Sequence, residues 1–217
     1  MPLHLEALTP AARGLAPRLF PHIADAGFIM AGGTALALQI GHRVSVDFDF
    51  FCAPDRFPPW LAQRIVQEFP QSQVLQDKAG TLDVLVEGAK CSFFAYPYRF
   101  SPSVESYTGI PLATVLDIGG MKVIAISQRG AKKDFADLYE VLRRNDFADV
   151  ARNMRERYGS ALLNAIHVGK SLVYFDDADK DPEPVYIGAE CVWVEIKEYF
   201  RQHTREHTQC MMETFGA

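Results

Sequence analysis

The 217 residues include only four cysteines, Cys52, Cys91, Cys191 and Cys210, and no two of them share a Cys-x-x-Cys spacing. That scarcity argues against a disulfide framework or a zinc site and fits small buried hydrophobes in a reducing compartment. No apolar run approaches the ~20 residues of a membrane span, and the N-terminus lacks the basic, apolar and small-residue order of a secretory leader. A cytoplasmic protein with no membrane partner is expected. Positive charge is also not in excess. The formal net charge is -5, so any contact with nucleic acid must come from a local basic patch. At 48% hydrophobic and 23% charged residues, the composition is that of an ordered chain, long enough for one domain or two packed lobes.

The stretch from Phe28 to Cys52 carries the chemistry. It reads as a short buried strand (Phe28 to Ala31), a Gly32-Gly33 turn, a helix opening at Thr34, a loop through His42 and Arg43, and a second apolar strand with Asp47 and Asp49. Glycines allow close backbone approach, and the first amides of a helix lack intrahelical partners, so such a turn can hold a phosphate. The same residues also suit a plain strand-to-helix turn with Thr34 as its N-cap. In the second strand, period two sends Asp47 and Asp49 to one face and Val46, Phe48 and Phe50 to the other. Two adjacent carboxylates in an apolar strand call for a cation or solvent between them. Oxygen-only ligands suit Mg²⁺, which takes one or two carboxylates and completes its shell with phosphates and water. An edge strand with one wet face is the competing explanation.

Three segments of this stretch, Gly32-Gly33-Thr34-Ala35-Leu36-Ala37-Leu38, Gly41-His42-Arg43 and Ser45-Val46-Asp47-Phe48-Asp49-Phe50-Phe51, resemble the AbiEii/AbiGii toxin group of nucleotidyltransferase-like proteins. The resemblance implies an α+β (α/β) architecture. A nucleotidyltransferase-like mixed sheet with flanking helices would occupy residues 1–112, and a helical C-terminal lobe over 113–217 would complete the active-site cleft. It assigns Gly32, Gly33 and Thr34 to the triphosphate and Asp47 and Asp49 to Mg²⁺. Many nucleotidyltransferases carry a third metal-binding carboxylate on a later strand, and the matching position here is Ser92. A neutral hydroxyl there puts two-metal catalysis in question. Asp83 is an alternative third carboxylate that hairpin geometry would turn toward water.

Elsewhere the pattern is conventional. Leu15, Leu19 and Ile23 mark an amphipathic helix over 10–24, kinked or divided by Pro17 and Pro21. Pro59-Trp60-Leu61 opens a second helix ended by Pro70, and Thr81 to Val86 with Ala89 to Tyr96 predict a hairpin turning at Glu87-Gly88. From Thr114 the chain turns helical. The helix Val115 to Ser127 holds one cation, Lys122, with no carboxylate within helical reach; it either snorkels to solvent or meets an anion. Asp134 and Asp137 suit an N-cap and a first-turn acid of the next helix, and Lys132 a solvated loop. The resemblance instead assigns Lys122 to phosphate or transition-state charge and Asp134 to a catalytic or site-organising role, leaving Asp137 structural. Arg129 and Lys133 belong to the densest basic loop, suited to a triphosphate or RNA backbone. Helices are expected over Phe147 to Tyr158 and Ser160 to Phe175, the latter with Leu162, Ile166 and Val173 inward and His167 as a packed histidine. The acidic stretch Asp176 to Pro184 reads as a loop, and Trp193, Ile196 and Phe200 mark a last helix.

By resemblance the activity is Mg²⁺-dependent transfer of a nucleotide from an NTP to a hydroxyl of RNA, such as a tRNA end, or of protein. It also implies a toxin with an antitoxin partner or a role in phage defence. A kinase-like phosphoryl transferase on the same fold, or a non-catalytic nucleotide-binding or interaction module, are the alternatives.

Overall fold

The computed structural model describes residues 2–160, 164–188 and 192–216, so Leu162 and Cys191 lie outside the described residues. The chain divides into two compact units, Met1–Thr114 and Val115–Ala217.

The first unit is built on a five-stranded mixed sheet. Its strands are β1 (Ile29–Ala31), β2 (Phe48–Cys52), β3 (Gln73–Lys78), β4 (Thr81–Val86) and β5 (Ala89–Ala95), in spatial order β1-β2-β5-β4-β3. β2 and β5 run parallel, and the other pairs are antiparallel. β4 and β5 are the predicted hairpin, turning at Glu87 and Gly88 with φ of 48° and 83°, the left-handed pair that a tight two-residue turn requires. β3 carried no sequence signal because its residues are mostly exposed on an edge. Three helices accompany the sheet: α1 (Pro10–Leu19), α2 (Gly32–Ile40) and α3 (Leu61–Glu68). Thr9 caps α1, its hydroxyl accepting from the Ala12 amide at 3.2 Å. Pro17 is accommodated inside α1, and Pro21 falls in the 3-10 turn that follows. A two-stranded ribbon, β6 (Ser106–Tyr107) with β7 (Ile110–Pro111), completes the unit.

The sheet has two unlike faces. On one, Phe48, Phe50 and Phe93 are fully buried. Phe20 meets Phe48 and Phe50 edge-on at 5.1 and 5.2 Å, and Phe50 stacks on Phe93 at 4.8 Å. Each such aromatic pair contributes about 0.5–1.5 kcal/mol beyond its buried area. Residues at alternate positions point the other way, and there Asp49, Phe51, Asp83 and Phe94 remain half-buried. Val46 does not follow the alternation expected of it. β2 begins only at Phe48, and Val46 is 52% exposed.

The second unit is helical: α4 (Val115–Gln128), α5 (Lys132–Leu142), α6 (Phe147–Tyr158), α7 (Ala165–Ser171) and α8 (Trp193–Phe215). α8 buries Ile196, Phe200, His207, Met211 and Phe215 at helical spacing. The acidic loop works as a tie. Asp181 accepts from the Lys132 amide, Glu183 from the Lys132 ammonium, and Asp179 from the Trp193 indole and Lys197. Lys132 is consequently 4% exposed, against the solvated position expected for it. α7 is shorter than expected, with Ile166 55% exposed. His167 is an exposed residue whose Nε2 lies 2.9 Å from the Ser127 carbonyl, so it is not a packed core histidine. Among the described residues no helix is long and apolar enough to cross a membrane.

Candidate functional site

Helix α2 begins at Gly32, two residues earlier than its sequence suggested, and its N-cap is Ala31. Thr34 is therefore not the cap. Its side chain is buried and its hydroxyl lies 2.8 Å from the Ser45 hydroxyl and within hydrogen-bond reach of the Asp47 carbonyl. The first turn of α2 thereby fixes the backbone at the entry to β2, where Asp47 stands one residue before the strand and Asp49 within it.

Gly32 has φ of +72°, and a Cβ placed on it would lie 2.5 Å from Asp49 Oδ2. Only glycine lets the turn pass this close to the carboxylate. Gly33 follows in the first turn of α2, where amides lack helical partners. Gly32, Gly33, Thr34, Asp47 and Asp49 are thus brought together by β1, α2 and β2. The register carries the row further: Asp49 pairs with Ala31 on one side and Ser92 on the other, and Ser92 pairs with Asp83. Asp83 is engaged by Lys90 at 3.3 Å and keeps one buried oxygen without a hydrogen-bond partner.

The donor set at Asp47 and Asp49 is oxygen-only and half-buried, which fits a hard divalent cation sharing its shell with substrate oxygens. The room left by the missing Cβ of Gly32 is taken by the Asp49 carboxylate, which is thereby held against the first turn of α2. Among the described residues no group of three or more His, Cys, Asp or Glu side chains is arranged to hold a metal. Asp83 does not complete such a set. Behind the strand, Cys91 is pushed well above the usual thiol range, first by burial and then by the charges of Asp47 and Asp49. Burial also raises Cys52, to about 11. Both are inert buried thiols.

The second unit gathers the other candidates. Lys122 Nζ sits 2.7 Å from Asp134 Oδ1 and 2.7 Å from Asp137 Oδ2, with both acids fully buried. The helical lysine that found no carboxylate on its own helix finds two on α5. Ala131 is the N-cap of α5, so Asp134 caps nothing. Arg129, 66% exposed along its side chain, lies 3.4 Å from Asp134 Oδ2, and Lys133 is exposed. Sequence reasoning gave no role to Ser45, which holds the Thr34 hydroxyl, or to Lys90, which engages Asp83. It also passed over the half-buried Tyr96, Tyr98 and Phe100, although an alternation of aromatics around Arg99 was visible there.

Residues 17–90 match the family model described as nucleotidyl transferase AbiEii toxin of type IV toxin–antitoxin systems. The match contains the Gly32 turn and both aspartates, and it stops short of Lys122. An uncharacterised protein of Aquifex aeolicus is 37% identical over 187 residues, covering 84% of this chain and 88% of its own. Among solved structures, JHP933 from Helicobacter pylori is similar with a TM-score of 0.55 at 15% identity, covering 92% of this chain and 91% of that one. At that identity the likeness concerns the fold.

Proposed function

The chain belongs to the AbiEii family of nucleotidyltransferase toxins, and from that premise we propose that it transfers a nucleotide from an NTP, bound with Mg²⁺ at Asp47 and Asp49, to an acceptor hydroxyl. The observation that carries this reading is the apposition of Gly32 and Asp49 Oδ2, which we read as a phosphate-binding turn set against a metal-binding carboxylate. In the reaction the acceptor hydroxyl oxygen forms a bond to the α-phosphorus and releases its proton to solvent, the bond from the α-phosphorus to the bridging oxygen breaks, and pyrophosphate leaves with the electron pair. The amides of Gly32 and Gly33 hold the triphosphate, and Asp47 and Asp49 hold the cation. The divalent ion, when bound, neutralises charge on the phosphates and polarises them. Thr34 keeps Asp47 in place through its carbonyl. Little covalent help is demanded of the protein, so catalysis rests on positioning and charge.

We further assign Lys122 and Asp134 to turnover, and Arg129 and Lys133 to phosphates of the nucleotide or of an RNA acceptor. Membership of a toxin family supports an antitoxin partner, and a place in phage defence is part of the same proposal.

The test is incubation of the protein with Mg²⁺, each NTP labelled in parallel at the α- or the γ-phosphate, and either total RNA or total protein. The control is the Asp47→Asn/Asp49→Asn variant. Label entering RNA or protein, and lost in the variant, is expected. Label that enters only from the γ-position would replace this reading with phosphoryl transfer. No incorporation despite measurable NTP binding would sink it.

A further inference from the structure

The sheet face that bears Asp49 continues past the carboxylates into a set of rings. One alternation along the strands, Phe51 and Phe94 pair in register and stack with centroids 5.1 Å apart at 28°. Tyr96 lies 5.3 Å from Phe51, Phe100 lies 5.8 Å from Phe51 and 5.4 Å from Tyr96, and Tyr98 lies 5.4 Å from Tyr96. Unlike the phenylalanines of the opposite face, all five rings are half-buried, and exposed Arg99 stands between Tyr98 and Phe100.

Five contiguous rings beside a pair of carboxylates pack on one another and still keep partial access to solvent. Interleaved aromatics and arginine are the composition that stacks unpaired bases while meeting the phosphate backbone. The step from Asp49 to Phe51 is about 7 Å along the strand, so a base resting on these rings belongs to the nucleotide handled at the carboxylates or to its immediate neighbour.

We propose that Phe51, Phe94, Tyr96, Tyr98 and Phe100 form a stacking platform for an unpaired nucleobase of the substrate. That base is either the NTP's own or the terminal base of an RNA acceptor. The location rests on the nucleotidyl-transfer reading, but stacking requires no turnover. Because every base offers a π-face, the platform binds without strong preference among the four bases.

The experiment uses 2-aminopurine, whose fluorescence falls on stacking. It is presented as the riboside triphosphate and as the 3′-terminal base of a short single-stranded RNA, each titrated with the full chain and with Tyr98→Leu/Phe100→Leu. Both substitutions lie beyond β5, outside the sheet, and leucine keeps apolar bulk while removing the π-face. The wild type should quench at least one probe. The variant should bind that probe about 5- to 150-fold more weakly with an unchanged unfolding midpoint. Loss on the triphosphate assigns the platform to the donor base, and loss on the RNA assigns it to the acceptor. A variant that unfolds early is replaced by Tyr98→Leu alone, read in the same way. Absence of quenching, or equal binding of both probes by variant and wild type, overturns the proposal. Quenching without any label transfer would count against the reaction and leave the platform standing, whereas transfer with unaltered kinetics in the variant counts against the platform alone.

Discussion

Replacing Gly32 by alanine separates backbone strain from the role of the site. At φ of +72° an alanine costs about 1–2 kcal/mol in conformational energy. Its Cβ would also come 2.5 Å from Asp49 Oδ2, so the carboxylate has to move. Gly88 supplies the control. Its φ is +83° and nothing lies within 4 Å of a Cβ placed there, so Gly88→Ala bears the conformational cost without touching Asp49. Urea unfolding should show a loss of about 1–2 kcal/mol for Gly88→Ala and at least that for Gly32→Ala. Mn²⁺ binding in the presence of a non-hydrolysable NTP should not be comparable. Metal ligands tolerate displacements of only about 0.2 Å, and disturbing the support of a ligand weakens affinity by about 10- to 100-fold. Gly32→Ala is therefore expected to lose at least ~10-fold in Mn²⁺–nucleotide affinity and Gly88→Ala none. Equal affinities in the two variants would falsify the claim that Gly32 and Asp49 act on one ligand.

Three further outcomes follow from particular contacts. Lys122→Met leaves Asp134 and Asp137 buried without their cation, which costs about 3–5 kcal/mol; a loss below ~1 kcal/mol in urea unfolding would show that the ion pairs are not coupled as drawn. Thr34→Val keeps the side-chain shape but removes the hydroxyl bound at Ser45 and Asp47. Stability should drop by about 1 kcal/mol with a smaller loss of Mn²⁺ affinity than Gly32→Ala, and an unchanged affinity would separate Thr34 from the site. His207 stacks on Phe147 at 4.1 Å, and neither ring nitrogen has a hydrogen-bond partner. Burial, followed by the charge of His203, pushes its pKa down to about 4. The unfolded chain takes up that proton near pH 6.5 and the folded chain does not, so stability is constant above about pH 6.5. It declines between about 6.5 and 4, by at most about 3 kcal/mol, and is flat below. His207→Phe should flatten this part of the profile, and an identical slope in urea midpoints from pH 7 to 4.5 would refute the assignment.

What could be read from the chain was what depends on local pattern. The β4–β5 hairpin was legible from alternation and Glu87-Gly88, α6 as a helix over Phe147 to Tyr158, and the Asp47/Asp49 pair from two charges in an apolar strand. The register was not legible. Nothing in one dimension says that Asp49 stands opposite Ser92 or that Ser92 stands opposite Asp83, because strands β2 and β5 are brought together by a parallel crossover. The sequence leaves open whether Lys122 snorkels or meets an anion, because its acids lie one helix away, 12 and 15 positions along the chain. Lys132 was misplaced for a similar reason, since its partner Glu183 comes from a remote loop. Strand β3 failed because an exposed edge strand has no buried face to impose alternation.

Burial distinguishes the two acidic clusters. A carboxylate that takes a cation from solution must stay accessible to it, and Asp47 and Asp49 are half-buried. Asp134 and Asp137 are fully buried and already share an ammonium at 2.7 Å, so their charge is spent on Lys122. A phosphate drawn to Lys122 competes with two carboxylates for one cation, whereas Arg129 leans on Asp134 Oδ2 at 3.4 Å and leaves 66% of its side chain in solvent. In that arrangement we assign the buried triad to setting local charge and geometry, and Arg129, like the exposed Lys133, keeps reach for an anion. Arg129→Ala should therefore raise the KM for NTP or RNA with little change in stability, the opposite balance to Lys122→Met. A variant in which Arg129→Ala destabilises the fold and leaves KM alone would reverse the assignment.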